Sequence, residues 1–195
     1  MSKQTSSSKQ SRRHGSRMTA SEVLEGIDLS GKTVLITGTT SGIGMETARV
    51  LALTGAHIVM ANRNIPASEK LKQEICDEAK GFVPKIDILQ LDLSSLESVR
   101  QAADEFSLKR WPLHILLLNA GLTSWNGELS VDGYERTFAV NHLGHFYLSI
   151  LLMKKLRESA PSRLVVVSSL LHAQTGIRPN KSLNKKLQKL LTTPS

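Results

Sequence analysis

Short apolar segments alternate with longer amphipathic segments along most of this chain. The apolar segments are five or six residues long and contain few polar side chains, which is typical of strands covered on both faces of a parallel sheet. Because a helical segment separates each pair of strands, the chain is expected to form a doubly wound α/β fold with right-handed crossovers. The predicted strands are 33–37, 56–60, 86–91, 113–118 and 164–168, and the predicted helices are 43–54, 67–79, 95–108 and 133–158.

A glycine-rich turn links the first predicted strand to the first predicted helix. Residues 37–44 read TGTTSGIG, a spacing that differs from the usual G-x-G-x-x-G pattern of Rossmann-type folds. A helix beginning here directs its unpaired N–H groups and its positive dipole end into the turn, where a pyrophosphate can bind. An ordinary strand-to-helix turn is the alternative while this motif stands alone. The candidate phosphate-binding residues are Gly38, Ser41, Gly42, Ile43 and Gly44.

The end of the second predicted strand is basic rather than acidic. An acid at this position usually accepts a hydrogen bond from the free 2′-hydroxyl of an adenosine ribose. Here residues 60–64 read MANRN, and Arg63 lies nineteen residues after Gly44. Because a guanidinium suits a 2′-phosphate and can stack on adenine, we expect NADP to be preferred over NAD. The alternative is a solvated surface arginine.

Two further strands end in polar residues at the same predicted edge of the sheet. Asp92 follows the third strand, where its carboxylate can accept a hydrogen bond from the adenine amino group or serve as the N-cap of the next helix. Asn119 and Gly121 follow the fourth strand. Ligands of open α/β sheets bind outside the carboxyl ends of the strands, so these residues are candidates for the same site.

The net charge of +8 is concentrated at the two ends of the chain. Residues 1–18 and 178–195 each carry five Lys or Arg and no acid, which leaves a net charge of −2 between residues 19 and 177. We therefore expect no nucleic-acid partner. Residues 1–20 are predicted to be a disordered basic tail, with a weak nuclear or organellar address as the alternative. Residues 178–195 are predicted to be a basic amphipathic segment, mobile on the surface or in contact with a partner or membrane.

The composition favours an intracellular protein. No apolar run approaches the roughly 18 residues that a bilayer-spanning helix needs, and the polar start of the chain lacks the apolar centre of a signal peptide. Cys76 is the only cysteine, which excludes an internal disulfide and fits a reducing compartment. We expect a cytoplasmic location, with nucleus and mitochondrion as alternatives.

Five motifs together occur in the order and at the intervals of the short-chain dehydrogenase/reductase family, which the chain resembles over roughly residues 18–175. Residues 61–64 and 140–148, which read ANRN and VNHLGHFYL, are most similar to the branch that contains retinol-dehydrogenase-like enzymes and WW-domain-containing oxidoreductases. The five motifs are TGxxxGIG at 37–44, LDL at 91–93, NAG at 119–121, Asn141 and VSS at 167–169.

The resemblance implies an NADP-dependent oxidoreductase that acts on a small, lipophilic carbonyl or alcohol substrate. The glycine turn then holds the pyrophosphate, Arg63 the 2′-phosphate and Asp92 the adenine. Asn119 and Gly121 then lie beside the nicotinamide ribose. Two catalytic roles also follow: the backbone carbonyl of Asn141 supports a water in the proton relay, and Ser169 orients the substrate carbonyl.

Several of these residues have a purely structural role as the alternative. Asn141 taken alone is an exposed helix residue, and Ser169 taken alone belongs to a turn after a strand. His142 and His145 lack a third ligand nearby in the sequence, so we interpret them as helix-face or packing residues and predict no metal site.

The family's Tyr-x-x-x-Lys proton donor has no counterpart in these residues. The chain's two tyrosines, Tyr134 and Tyr147, precede Ser169, and neither has a lysine four positions later. We therefore expect an NADP-binding Rossmann domain over residues 21–177 that is incomplete after about five strands and has no turnover alone. Its last strand is expected to be an exposed edge open to a protein partner or a second copy. The alternative is a non-catalytic nucleotide-binding or protein-interaction module.

Overall fold

The computed structural model describes residues 17–124 and 126–170. Most of the predicted basic tail and the whole predicted segment 178–195 lie outside these residues. The described part contains the predicted strands and helices, and its sheet has five parallel strands in the order β3-β2-β1-β4-β5. The strands are β1 (Thr33–Thr37), β2 (His57–Asn62), β3 (Ile86–Gln90), β4 (Ile115–Leu118) and β5 (Arg163–Val166).

Helices cover both faces of this sheet, as the predicted Rossmann-type fold requires. They are α1 (Ala20–Leu24), α2 (Gly42–Leu53), α3 (Ile65–Glu78), α4 (Leu96–Leu108), α5 (Arg136–Phe138) and α6 (Gly144–Glu158), with a π-helical turn over Ala139–Leu143 between the last two. From β1 the chain adds β2 and β3 on one side, and it then returns to add β4 and β5 on the other side of β1. The loops after the parallel neighbours β1 and β4 therefore lead to opposite sides of the sheet, which makes this pair the switch point. A crevice between the loops that follow these strands is the usual ligand site of such a sheet.

The core consists of two apolar layers that share β1. All five side chains of β1 are buried, and successive ones point to opposite faces. Leu35 packs on one face with Phe106 of α4 and Leu148 of α6. Val34 packs on the other face in a layer that includes Ile75 of α3. This two-sided burial explains why the strands read as continuous apolar runs rather than as alternating ones.

The prediction of one long, regular α-helix over residues 133–158 is wrong in two respects, the start of the helix and its continuity. Helical structure begins at Arg136, and the π-helical turn interrupts it before α6 begins at Gly144. At that point the helix lies against the loop after β3, because a Cβ on Gly144 would be 2.5 Å from the Leu93 carbonyl oxygen. A π-helical turn contains one residue more than an α-helical turn, and the spacing of apolar residues does not reveal so small a change.

A short helix, α1, was absent from the sequence prediction. It is stabilised by a capping box in which the Glu22 N–H donates to Thr19 Oγ1 at 3.3 Å and the Thr19 N–H donates to Glu22 Oε2 at 2.7 Å. The capping residue therefore lies within the stretch predicted to be the tail.

Strand β5 forms one edge of the described sheet. Leu164, Val165 and Val166 are each between 40% and 59% exposed, whereas every residue of β1 is buried. A partner at this edge stays a prediction. Among the described helices, none combines the length and apolarity needed to cross a bilayer.

Candidate cofactor site

A crevice of about 620 Å³ opens at the carboxyl edge of the sheet, at the switch point between β1 and β4. The residues predicted to contact a cofactor come from four separate loops and all line this crevice. They are Gly38, Ser41, Gly42, Ile43, Gly44, Arg63, Asp92, Asn119 and Gly121. The apolar part of the lining includes Leu93, Leu122, Val140 and Val167.

Two glycines of the turn are required by close packing. Gly38 has a φ of +72°, and a Cβ there would lie 2.7 Å from the Cα of Ala120. A Cβ on Gly44 would lie 2.1 Å from the Gly38 carbonyl oxygen and 2.4 Å from Asn119 Nδ2. Since real Cβ contacts of this length do not occur, any side chain here displaces the turn or the loop after β4.

The third glycine faces open space at the beginning of α2. Gly42 has a φ of +57°, and no heavy atom lies within 4 Å of where its Cβ would be. Ser41 precedes it as the N-cap without a side-chain capping bond, and the first turn of α2 contains no acidic residue. The unpaired N–H groups and the positive dipole end of a twelve-residue helix therefore face the crevice with no anionic side chain in that turn to satisfy them. These features fit a bound phosphate.

Two neighbouring residues at the end of β2, Asn62 and Arg63, differ in their surroundings: the first is buried and the second is exposed. Asn62 is buried, and its Oδ1 accepts from the Thr39 N–H at 2.8 Å while its Nδ2 donates to Thr39 Oγ1 at 2.7 Å and to Ser68 Oγ at 2.9 Å. The adjacent Arg63 is exposed on the crevice wall, and its guanidinium forms no ion pair with any residue of 17–124 or 126–170. Asn62 thus fixes the glycine turn and leaves Arg63 as the cation beside it.

Asp92 shapes the loop after β3. Its Oδ1 accepts from the Ser94 N–H at 2.9 Å and from the Ser94 hydroxyl at 2.6 Å. The N-cap of α4 is Ser95, whose hydroxyl accepts from the Ser98 N–H at 3.2 Å. The alternative role of Asp92 as the helix N-cap is therefore wrong, although its carboxylate does stabilise a turn while lining the crevice.

Thr37, the last residue of β1, has a role in the site that was not predicted from the sequence. Its buried hydroxyl oxygen accepts from the N–H groups of Asn119 and Ala120, both at 3.0 Å. Asn119 Nδ2 in turn donates to the carbonyl oxygens of Thr37 at 3.1 Å and Gly38 at 3.0 Å. Asn119 therefore holds the glycine turn with its amide, and the loops after β1 and β4 form one hydrogen-bonded unit. A threonine before the first glycine was the only signal in the sequence.

Asn141 lies in the π-helical turn, and both the oxygen and the nitrogen of its side-chain amide form a hydrogen bond. Its Oδ1 accepts from the Leu122 N–H at 2.9 Å, and its Nδ2 donates to the Leu122 carbonyl at 2.8 Å. The turn itself is closed by a bond from the Gly144 N–H to the Ala139 carbonyl, five residues back. Such turns occur frequently at functional sites. Asn141 and Ser169 do not line the crevice, and Ser169 is an exposed residue beyond the end of β5.

His145 is a buried residue that bonds to two parts of this unit. Its Nε2 lies 2.8 Å from Thr37 Oγ1, and its Nδ1 lies 3.2 Å from the carbonyl oxygen of Asn141. Both lone pairs of the Thr37 hydroxyl receive backbone N–H groups, so its hydrogen points to Nε2, and the imidazole is neutral with its proton on Nδ1. Burial agrees with this assignment, because it lowers the pKa of His145, with a smaller raising effect from the Asn141 carbonyl. The interpretation of His145 as a packing residue was too limited.

Two more histidines, His57 and His114, lie at the amino ends of β2 and β4, and their surroundings favour the neutral ring. His114 Nδ1 accepts from the Thr33 N–H at 3.0 Å, and burial followed by the nearby Lys32 charge lowers its pKa. His57 Nε2 donates to Asp87 Oδ2 at 2.8 Å. Burial lowers the pKa of His57 more strongly than the Asp87 contact raises it.

These three histidines predict a loss of stability in mild acid. Because their native pKa values are lowered, the unfolded chain binds protons first as the pH falls. Their contribution is present above about pH 6.5 and is lost as the pH falls toward the native pKa values. We expect the free energy of unfolding to fall by roughly 1–3 kcal/mol between pH 7.5 and 5. Urea unfolding followed by tryptophan fluorescence measures it.

Matched variants assign that pH dependence to burial. His57→Gln should flatten the dependence, because it removes a buried ring whose pKa is lowered. His142→Gln replaces an exposed ring, whose charge has the smallest of three effects on the pKa of His145, and should change the dependence less. Equal stability of the wild-type chain at the two pH values would contradict the assignment of neutral rings with lowered pKa values.

An open parallel sheet with a glycine turn and a helix N-terminus at its switch point defines the class of dinucleotide-binding α/β folds. Residues 32–179 match the family described as short chain dehydrogenase. This chain belongs to the short chain dehydrogenase family.

Individual relatives are consistent with this assignment. The chain is 47% identical over 177 residues to a WW domain-containing oxidoreductase of Gallus gallus, covering 91% of this chain and 42% of the relative. It is 42% identical over 152 residues to retinol dehydrogenase 12 of Mus musculus, covering 78% of this chain and 48% of the relative. A solved RhlG/NADP complex of Pseudomonas aeruginosa superposes with a TM-score of 0.63 at 25% identity, covering 84% of this chain and 64% of that one. The chain thus spans less than half the length of these two curated relatives.

Proposed function

We propose that this chain binds NADP(H) in the crevice and forms the cofactor-binding part of an oxidoreductase that acts on a carbonyl or alcohol substrate. The observation that carries the proposal is the open space at Gly42 at the start of α2, in the same crevice as Arg63, whose guanidinium forms no ion pair within the described residues. Membership of the short chain dehydrogenase family and the NADP complex of the Pseudomonas aeruginosa neighbour support it.

Each part of the crevice has a role in this proposal. The N–H groups at the start of α2 receive the pyrophosphate, and Arg63 receives the 2′-phosphate through its planar guanidinium. Asp92 bounds the adenine pocket, while Asn119 and Gly121 bound the nicotinamide ribose. The bound nicotinamide supplies hydride exchange with a carbonyl or alcohol carbon.

The proton-transfer chemistry of the family is proposed to be missing from this polypeptide alone. Tyr134 has Phe138 four positions later and Tyr147 has Leu151, so neither forms a tyrosine–lysine pair. Ser169 and the Asn141 carbonyl are proposed to orient the substrate carbonyl and a relay water. Without a phenol beside them, these 195 residues bind cofactor but do not turn over substrate.

Replacing Arg63 with glutamine tests the preference for the phosphorylated cofactor. The wild-type chain is expected to bind NADPH more tightly than NADH, as titrated by cofactor fluorescence. In Arg63→Gln we expect NADPH affinity to fall roughly 10- to 100-fold, because a charge-assisted hydrogen bond to phosphate is lost, while NADH affinity stays unchanged.

Arg157 provides the matched control, since it is an exposed arginine outside the crevice lining. Arg157→Gln removes the same charge and should leave both affinities unchanged. Wild-type affinity for NADPH no better than for NADH would refute the role given to Arg63.

A further inference from the structure

His145 is a buried residue that contacts two of the segments bordering the crevice. It lies in the first turn of α6, is 4% exposed, and contacts both Thr37 at the end of β1 and the Asn141 carbonyl in the π-helical turn. It does not line the crevice. Its influence on a ligand must therefore act through the groups that it holds.

The Thr37 hydroxyl depends on His145 for the direction of its hydrogen. A hydroxyl has one hydrogen and two lone pairs, and here both lone pairs receive the N–H groups that begin the segment 119–121. With Nε2 as acceptor, the hydrogen points away from those N–H groups. A residue at 145 without that acceptor leaves the hydroxyl hydrogen buried and unpaired, or turns it against the two N–H groups.

The Asn141 carbonyl is held in a second way by the same ring. The Nδ1–H of His145 donates to this oxygen at 3.2 Å, within a turn whose backbone departs from α-helical bonding. The bond restrains the turn whose Asn141 side chain also fixes Leu122, a crevice residue. One neutral imidazole thus restrains both segments that border the crevice beyond β4.

We infer that His145 is a positioning residue for the nicotinamide half of the cofactor, which it serves by fixing residues 119–121 and the Asn141 turn. This inference rests on the proposed NADP(H) site. It separates the crevice into two ends: an adenosine end at Arg63, where His145 contacts no residue directly, and a nicotinamide end bounded by the segments that His145 holds.

Two ligands distinguish these ends. NADPH occupies the whole crevice, whereas adenosine 2′,5′-bisphosphate carries only the adenosine and its phosphates. In the 195-residue chain, His145→Ala is expected to weaken NADPH binding about ten-fold and to leave binding of the bisphosphate unchanged, as measured by calorimetric titration. Arg63→Gln is expected to weaken both ligands.

Two conservative variants separate the two bonds of the ring. The amide of glutamine reaches about as far as Nε2 and can accept from Thr37, whereas the amide of asparagine lies near the position of Nδ1 and can donate to Asn141. We expect His145→Gln to recover part of the NADPH affinity lost in the alanine variant. His142 is an exposed histidine three residues before His145, and the His142→Gln variant should bind both ligands as the wild type does.

The possible results decide between the proposals. If the wild-type chain binds neither NADPH nor the bisphosphate, the proposed NADP(H) site is wrong, and the role of His145 is wrong with it. Equal weakening of both ligands in His145→Ala, or no weakening of either, overturns the role of His145 alone. If the alanine variant fails to fold, the same comparison is made in His145→Asn, which lacks the acceptor for the Thr37 hydroxyl, and equal effects on both ligands again contradict the inference.

Discussion

Replacing Gly44 with alanine is expected to abolish detectable NADPH binding and to lower the free energy of unfolding by about 2–3 kcal/mol. The added Cβ would stand 2.1 Å from the Gly38 carbonyl oxygen and 2.4 Å from Asn119 Nδ2, both of which belong to the hydrogen-bonded unit of the loops after β1 and β4. Relief of these overlaps must break the 3.0 Å bond from Asn119 Nδ2 to that carbonyl. Urea unfolding and NADPH titration measure the two effects.

Two other glycines separate strain from function in this experiment. Gly42→Ala and Gly31→Ala both place a methyl group in open space at a positive φ, +57° and +76° respectively, at a cost of about 1–2 kcal/mol each. Only Gly42 lines the crevice. Gly42→Ala should therefore impair NADPH binding and Gly31→Ala should not. Wild-type affinity and stability in Gly44→Ala would show that the turn is more pliable than its contacts indicate.

The fold and the glycine turn could be predicted because their signals are contiguous in the sequence. Each strand is a run of apolar residues, and the turn from Thr37 to Gly44 is eight successive residues with a local physical meaning. Right-handed connections between such strands imply helices on both faces of a parallel sheet, which is the observed arrangement. The boundaries of strands and helices shifted by a few residues, and the short helix α1 was not predicted. The π-helical turn near Asn141 was not predicted either, because it leaves the apolar pattern intact.

The hydrogen bonds that support the site could not be predicted in the same way. Thr37 meets Asn119 across 82 residues and His145 across 108, and no pattern within a window of sequence links such positions. Asn62 reads as part of a basic strand end, yet its amide is buried and used entirely within the protein. Residues that line the crevice were found by their motifs, whereas residues that hold it from below required the tertiary structure.

Replacing Thr37 with valine is expected to destabilise the chain strongly, although the two side chains have nearly the same shape. Valine keeps the shape but removes the oxygen that accepts from the N–H groups of Asn119 and Ala120 and donates to His145 Nε2. The change leaves three polar groups around a fully buried site without a partner. Because each unsatisfied buried group costs about 1–3 kcal/mol, we expect a loss of about 3 kcal/mol or more in the free energy of unfolding.

Thr37→Ser tests whether the hydroxyl or the packing is responsible. Serine retains all three hydrogen bonds and removes one buried methyl group, which costs about 1 kcal/mol in a typical core. Urea unfolding of the two variants, measured side by side at pH 7.5, compares the lost hydroxyl with the lost methyl group. A valine variant as stable as the serine variant would mean that the loops after β1 and β4 are joined by packing rather than by this hydroxyl. The larger loss in valine would make Thr37 the residue through which the stability of the sheet and the shape of the crevice are coupled.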